Sequence, residues 1–191
     1  DALPICFSMI LAGTSTPASG GEHLISHYWD MNAYLEDKLP PAWHGYQVCL
    51  GTLLACKLYD AMRLLDPDKL RKPAEETEAE LEKTHGKLWS AIRGERAKPV
   101  LTPERADERL QKLHALWQRI WLDLTKVLMD PDDLKKQYIR AQVPVQPEAH
   151  GLTREYVKHT LLHAHDIRAR YTVLHFAHDA GVLESLDDEV M

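Results

Sequence analysis

No apolar run in this chain reaches the roughly 18 residues that a membrane-spanning helix requires, which excludes a transmembrane helix. Cysteine is scarce. Cys6, Cys49 and Cys56 are the three in 191 residues, and none lies in a CxxC pair, so neither a disulfide scaffold nor a cysteine-rich zinc module is encoded. A reducing cytoplasm is the simpler home, with the thiols as small core residues. There is no basic stripe either: 23 Lys and Arg are interleaved among 29 Asp and Glu for a net charge of −6, which excludes a phosphate backbone as partner. Alternating β-branched runs bounded by hairpin turns are missing, as is any internal repeat and any strand-GxGxxG-helix unit for a dinucleotide. The chain opens on Asp1-Ala2-Leu3-Pro4, without an initiator methionine or the charged and apolar regions of a secretory leader, and reads as a fragment.

What is present is helical periodicity. Hydrophobic residues make up 45% and charged residues 27%, the composition of a globular protein long enough for one substantial core. The spacing predicts a single all-α domain over 1–191, a multi-helix bundle. A first helix over Leu3–Ala12 leads into a breaker-rich loop, Gly13 to Gly21; a second helix over Glu22–Asp37 stops at Pro40-Pro41. The third, Ala42–Leu65, is apolar on most sides and is expected at the centre. A charged segment over 66–100 then carries one narrow packing stripe of Leu81, Leu88, Trp89 and Ile92, and reads as a solvated helix. Thr102-Pro103-Glu104 opens a helix to Met129, a short helix covers Asp132–Gln142, and a long last helix runs from Thr153 to Ala180, closed by Gly181.

Histidine carries the chemistry. His23 and His44 stand at the starts of two predicted helices, each beside a glycine or small-residue turn, and neutral imidazole is a common ligand for zinc, nickel and iron. His27 lies one helical turn beyond His23, about 40° round the helix, so both can face one cavity. The bland alternative is a set of capping or core histidines. A second group, His163, His165-Asp166 and His178-Asp179, has the residue types of a metal-dependent phosphohydrolase. On one continuous helix, however, the two His-Asp pairs would point roughly 140° apart. Trp29 and Trp43 flank the first histidine blocks, where they either wall a pocket or pack in the core.

Three blocks together resemble the C-terminal helical domain of sn-glycerol-1-phosphate dehydrogenases, in the iron-containing alcohol dehydrogenase and dehydroquinate synthase-like superfamily. They are Thr16-Pro17-Ala18-Ser19-Gly20-Gly21-Glu22-His23-Leu24-Ile25-Ser26-His27, then His44-Gly45-Tyr46-Gln47-Val48, then Ile167-Arg168-Ala169-Arg170-Tyr171-Thr172-Val173-Leu174. The resemblance implies a metal ion (Zn2+, Ni2+ or Fe2+) on His23 and His44, with a third ligand, an upstream aspartate, that no residue here matches. Beside it, the residues themselves place His27 to ligate the ion or orient substrate, and the Thr14 to Gly21 loop, with Thr16 and Ser19, to receive part of the substrate or its phosphate. The implied reaction interconverts dihydroxyacetone phosphate and sn-glycerol 1-phosphate with NAD(P)H, bound mainly by a nucleotide-binding half outside this chain. By that reading the chain alone does not turn over, its small-molecule partner is a phosphorylated polyol, and homo-oligomerisation is left open. Other polyol or glycerol dehydrogenases, a dehydroquinate synthase-like enzyme and a noncatalytic helical interaction domain are the alternatives; a helical metallohydrolase stands third.

Overall fold

The computed structural model describes residues 9–13, 19–96 and 103–190, and among them there are helices and no strand. The all-α expectation therefore holds. Of the predicted first helix, residues 9–12 are described and helical; its start lies outside the described residues. The main helices are α1 (Gly21–Leu35), α2 (His44–Arg63), α3 (Glu78–His85), α4 (Trp89–Arg96), α5 (Pro103–Leu124), α6 (Pro131–Arg140), α7 (Arg154–His163), α8 (Val173–Asp179) and α9 (Leu183–Val190). None of them is long and apolar enough to cross a membrane.

α2 is the central helix, packed against α1, α6, α8 and α9. The reason is its sequence: Leu50, Leu53, Leu54, Leu58 and Met62 are all buried, and each such side chain contributes roughly 1.5–3 kcal/mol. α1 turns Leu24, Ile25, Tyr28 and Trp29 inward against it. Trp29 is wholly core, its indole N–H donating to Thr160 Oγ1 of α7 at 2.8 Å. Trp43 is 84% exposed and walls nothing, so the two tryptophans flanking the histidine blocks part company.

Over its described residues, 66–96, the charged segment is not one solvated helix. A short 3-10 turn, Pro67–Lys69, is followed by α3, a second 3-10 turn over Gly86–Leu88, and α4. Thr77 caps α3 in a reciprocal box with Glu80, which fixes where the helix begins. The predicted stripe of Leu81, Leu88, Trp89 and Ile92 is buried as expected, and His85 is buried with it. α5 stops at Leu124 rather than Met129, with Thr125 donating to the Trp121 carbonyl at the turn.

The long last helix is also corrected. Residues 153–180 contain no glycine or proline to signal a stop, yet the helix gives way to a 3-10 turn over Ala164–Ile167 and an extended stretch through Thr172 before α8 begins. Long-range contacts impose the break. Asp166 turns inward to His85, and Arg170 reaches back to the Ser19 carbonyl. After α8 the chain turns at Gly181, whose φ of 66° suits glycine; a Cβ there would run into the Arg71 carbonyl oxygen.

Candidate metal centre

The first turn of α1 rests against α2 about two turns in from its start because a glycine there lets it. A Cβ on Gly51 would lie 2.8 Å from the Glu22 carbonyl oxygen, so α2 can rest against the backbone of α1 only where that position has no side chain. The close approach brings three imidazoles into one cluster. Ring centroids of His23 and His44 are 5.5 Å apart, those of His27 and His44 5.8 Å, and those of His23 and His27 6.1 Å.

Hydrogen bonds around the cluster determine which nitrogens are available. Gln47 Nε2 donates to Asp30 Oδ1 at 3.0 Å and to the Ala42 carbonyl at 2.9 Å, which turns its Oε1 toward Ser26. Ser26 Oγ–H donates to that Oε1 at 2.8 Å. The Ser26 oxygen is then an acceptor for His44 Nδ1–H, 3.0 Å away, and the His44 lone pair falls on Nε2. His23 follows the same logic. Its Nδ1 lies 2.9 Å from Glu22 Oε1, itself held by the Gly20 N–H at 2.8 Å, so His23 Nε2 carries the other lone pair. Both histidines thus have the outer-shell carboxylate or hydroxyl partner that fixes tautomer and ring orientation in metal sites. Ser26 and Gln47 are fully buried, which keeps that network from competing with water.

His27 is held below the ordinary imidazole pKa, first by burial and then by the Arg168 guanidinium, with the His23 and His44 imidazoles adding to it. It is therefore neutral near pH 7. Arg168 belongs to the third sequence block, and that block also anchors the first. Arg170 Nη1 donates to the Ser19 carbonyl at 3.1 Å, and Gly21 sits against Val173 and Leu174. Ser19 is thus placed two residues ahead of α1, beside the histidines' helix; Thr16 lies outside the described residues.

The cluster supplies imidazoles but not a complete close set of donors. Among the described residues, the trio of His, Cys, Asp or Glu whose donor atoms all lie within 4.8 Å of one another is a different one: His85, His163 and Asp166. Sequence reasoning missed His85 because it is a lone histidine in a Glu- and Lys-rich segment, 81 residues from the carboxylate it meets. The C-terminal histidines converge as well. With the helix broken after His163, the rings of His165 and His178 come within 4.4 Å, which removes the 140° separation that a continuous helix would have enforced.

No family model matches the chain, and no solved structure matches it. Curated relatives do. A glycerol-1-phosphate dehydrogenase (NAD(P)+) of Geobacillus stearothermophilus is 25% identical over 178 residues, 93% of this chain and 37% of the relative. The enzyme of the same name from Thermococcus kodakarensis is 52% identical over 52 residues, 27% of this chain and 13% of the relative. That of Korarchaeum cryptofilum is 38% identical over 73 residues, 38% of this chain and 23% of the relative. At modest identity over most of its length, this chain, helical and without a strand among its described residues, is a homologue of proteins named glycerol-1-phosphate dehydrogenase, and it spans little more than a third of the length of the Geobacillus stearothermophilus relative.

Proposed function

We propose that the chain is the metal- and substrate-binding part of an NAD(P)-dependent oxidoreductase that interconverts dihydroxyacetone phosphate and sn-glycerol 1-phosphate in the cytoplasm. The observation that carries this reading is the meeting of His23, His27 and His44, with outer-shell partners that leave Nε2 of His23 and of His44 as lone-pair donors. Two imidazoles of fixed tautomer fit Zn2+, Ni2+ or Fe2+, with the third ligand and the dinucleotide site coming from a nucleotide-binding half. Bound there, such an ion supplies Lewis acidity toward the substrate oxygen that changes between ketone and alcohol.

The chain's own residues do the positioning. His23 and His44 hold the ion, while neutral His27 offers one N–H and one lone pair to a substrate hydroxyl or carbonyl oxygen. The loop carrying Thr16 and Ser19 precedes the α1 N-terminus, where backbone N–H groups favour an anionic phosphate, and Arg168 adds positive charge near His27. Hydride transfer needs the nicotinamide, so this chain alone binds without turning over.

The test is made on the whole protein. Oxidation of NADH and NADPH is followed with dihydroxyacetone phosphate, and with dihydroxyacetone as the unphosphorylated comparison, in wild type and in His23→Ala and His44→Ala. Loss of both activity and one equivalent of metal in each variant is the expected result. Full activity in either variant, or equal use of dihydroxyacetone, overturns the reading.

A further inference from the structure

α3 and α7 end against each other, and each ends on a histidine. His85 closes α3 and His163 closes α7, with ring centroids 5.6 Å apart. Asp166 enters from the 3-10 turn that breaks the last helix, and its Oδ2 lies 2.9 Å from His85 Nε2 with both side chains fully buried. The other ring nitrogen, Nδ1, is buried without a hydrogen-bond partner, so no second bond fixes which nitrogen carries the proton, and Nε2 can serve as the lone-pair donor beside the carboxylate. His163 is the third member. Its ring lies on the wall of a cleft, with a donor nitrogen within 4.8 Å of the donor atoms of His85 and Asp166.

A buried His-Asp pair alone would be an ordinary structural contact. What sets this one apart is the second imidazole, His163, with a donor nitrogen that converges on the same pair. We propose that His85, His163 and Asp166 form a second metal site, sharing no ligand with His23 and His44, for a divalent transition ion of the zinc class. Two imidazoles and one carboxylate are a zinc donor set, and three protein ligands leave a position for water. The donor atoms lie within 4.8 Å of one another, and closing to the roughly 3.4 Å of a tetrahedral site takes small side-chain rotations. The single carboxylate offsets part of the ion's charge where water cannot. Entry is provided: His163 lies on the wall of a cleft of about 460 Å³, together with Arg71, Lys72, His165 and His178. With water in the fourth position, the ion ties two elements together. It fastens the end of the charged 78–85 helix to the turn that sends the chain back toward the histidine cluster.

The experiment uses the chain carrying both His23→Ala and His44→Ala, so that the first cluster is disabled, with Co2+ as a spectroscopic probe and Zn2+ as competitor. One Co2+ per chain is expected, with d–d absorption in the visible, displaced by Zn2+, and the thermal midpoint rises with added Zn2+. Adding His163→Gln lowers Co2+ affinity by more than ~100-fold, beyond the effect of losing an outer-shell partner. The exposed His114→Gln leaves it unchanged, and far-ultraviolet circular dichroism reports that each variant is folded. Absence of Co2+ binding in the parent double variant overturns the proposal without touching the first site, and so does full retention in a folded His163→Gln protein.

Discussion

Gly51→Ala should unsettle the first histidine cluster from a position that touches no histidine. The alanine methyl would stand 2.8 Å from the Glu22 carbonyl oxygen and 3.1 Å from Glu22 Cα, well inside the ordinary carbon contact range of about 3.5–4.0 Å. Both obstacles are backbone, so no side chain can swing away; α1 and α2 must separate. Two effects oppose each other. Alanine in a helix interior gains roughly 0.5–1 kcal/mol over glycine, whereas forcing a methyl into a closed contact costs typically 1–3 kcal/mol. The second prevails, for a net loss of about 1–2 kcal/mol, which lowers the urea midpoint by roughly 0.5 M or more at the usual denaturant dependence. Gly45 is the internal control, because it lies in the same helix with nothing within 4 Å of an added Cβ. Gly45→Ala should be neutral or stabilising by up to ~1 kcal/mol. Since Glu22 orients His23, calorimetry should also find Zn2+ affinity at the first cluster reduced about 10-fold in Gly51→Ala. Equal or greater stability of Gly51→Ala relative to wild type, or the same sign of change as Gly45→Ala, would refute the close-approach argument.

Ser26→Ala removes the hydroxyl between Gln47 and His44 and frees the His44 ring to change tautomer; Zn2+ affinity should fall 10–100-fold with little change in fold, and an unchanged affinity would remove Ser26 from the site. Stability should also depend on His175, whose Nδ1 accepts the Thr172 N–H at the start of α8 and whose pKa burial pushes below 6.5. The folded state therefore binds its proton less readily than the unfolded chain, so His175 contributes stability above pH 6.5 that is lost as pH falls toward the lowered value. His175→Gln should flatten that part of the urea-midpoint against pH curve, and an unaltered slope would refute it.

Where local chemistry set the structure, the sequence was readable. Pro40 and Pro41 end α1 in advance, Gly20-Gly21 open it, and the apolar positions of α2 on most faces placed it at the centre, as the burial of Leu50, Leu58 and Met62 bears out. That His23 and His27 share a face could be anticipated from i,i+4 geometry, and His44 joined them through the family resemblance; the glycine contact that brings the helices together could not be anticipated, since it depends on how two helices dock. Residues 153–180 misled because nothing in them breaks a helix. The break comes from Asp166 and Arg170, whose partners His85 and Ser19 are 81 and 151 residues away. His85 did have a local signal for burial, four residues after Leu81 and four before Trp89 on the predicted stripe; what no local pattern could show is its partner Asp166, 81 residues away.

The tie from Arg170 to Ser19 also sets a schedule for biosynthesis. At translation rates of ~5–20 residues per second, the 151 residues between them take roughly 8–30 s to emerge. For most of that interval Trp29 has no Thr160 hydroxyl to accept its indole N–H, and the Ser19 carbonyl has no Arg170. The nascent protein therefore carries its histidines early and encloses them late. The exposed apolar side of α1 during this delay is the surface on which ribosome-associated chaperones would act, and a metal supplied before the last helices emerge would meet loose ligands rather than a formed site.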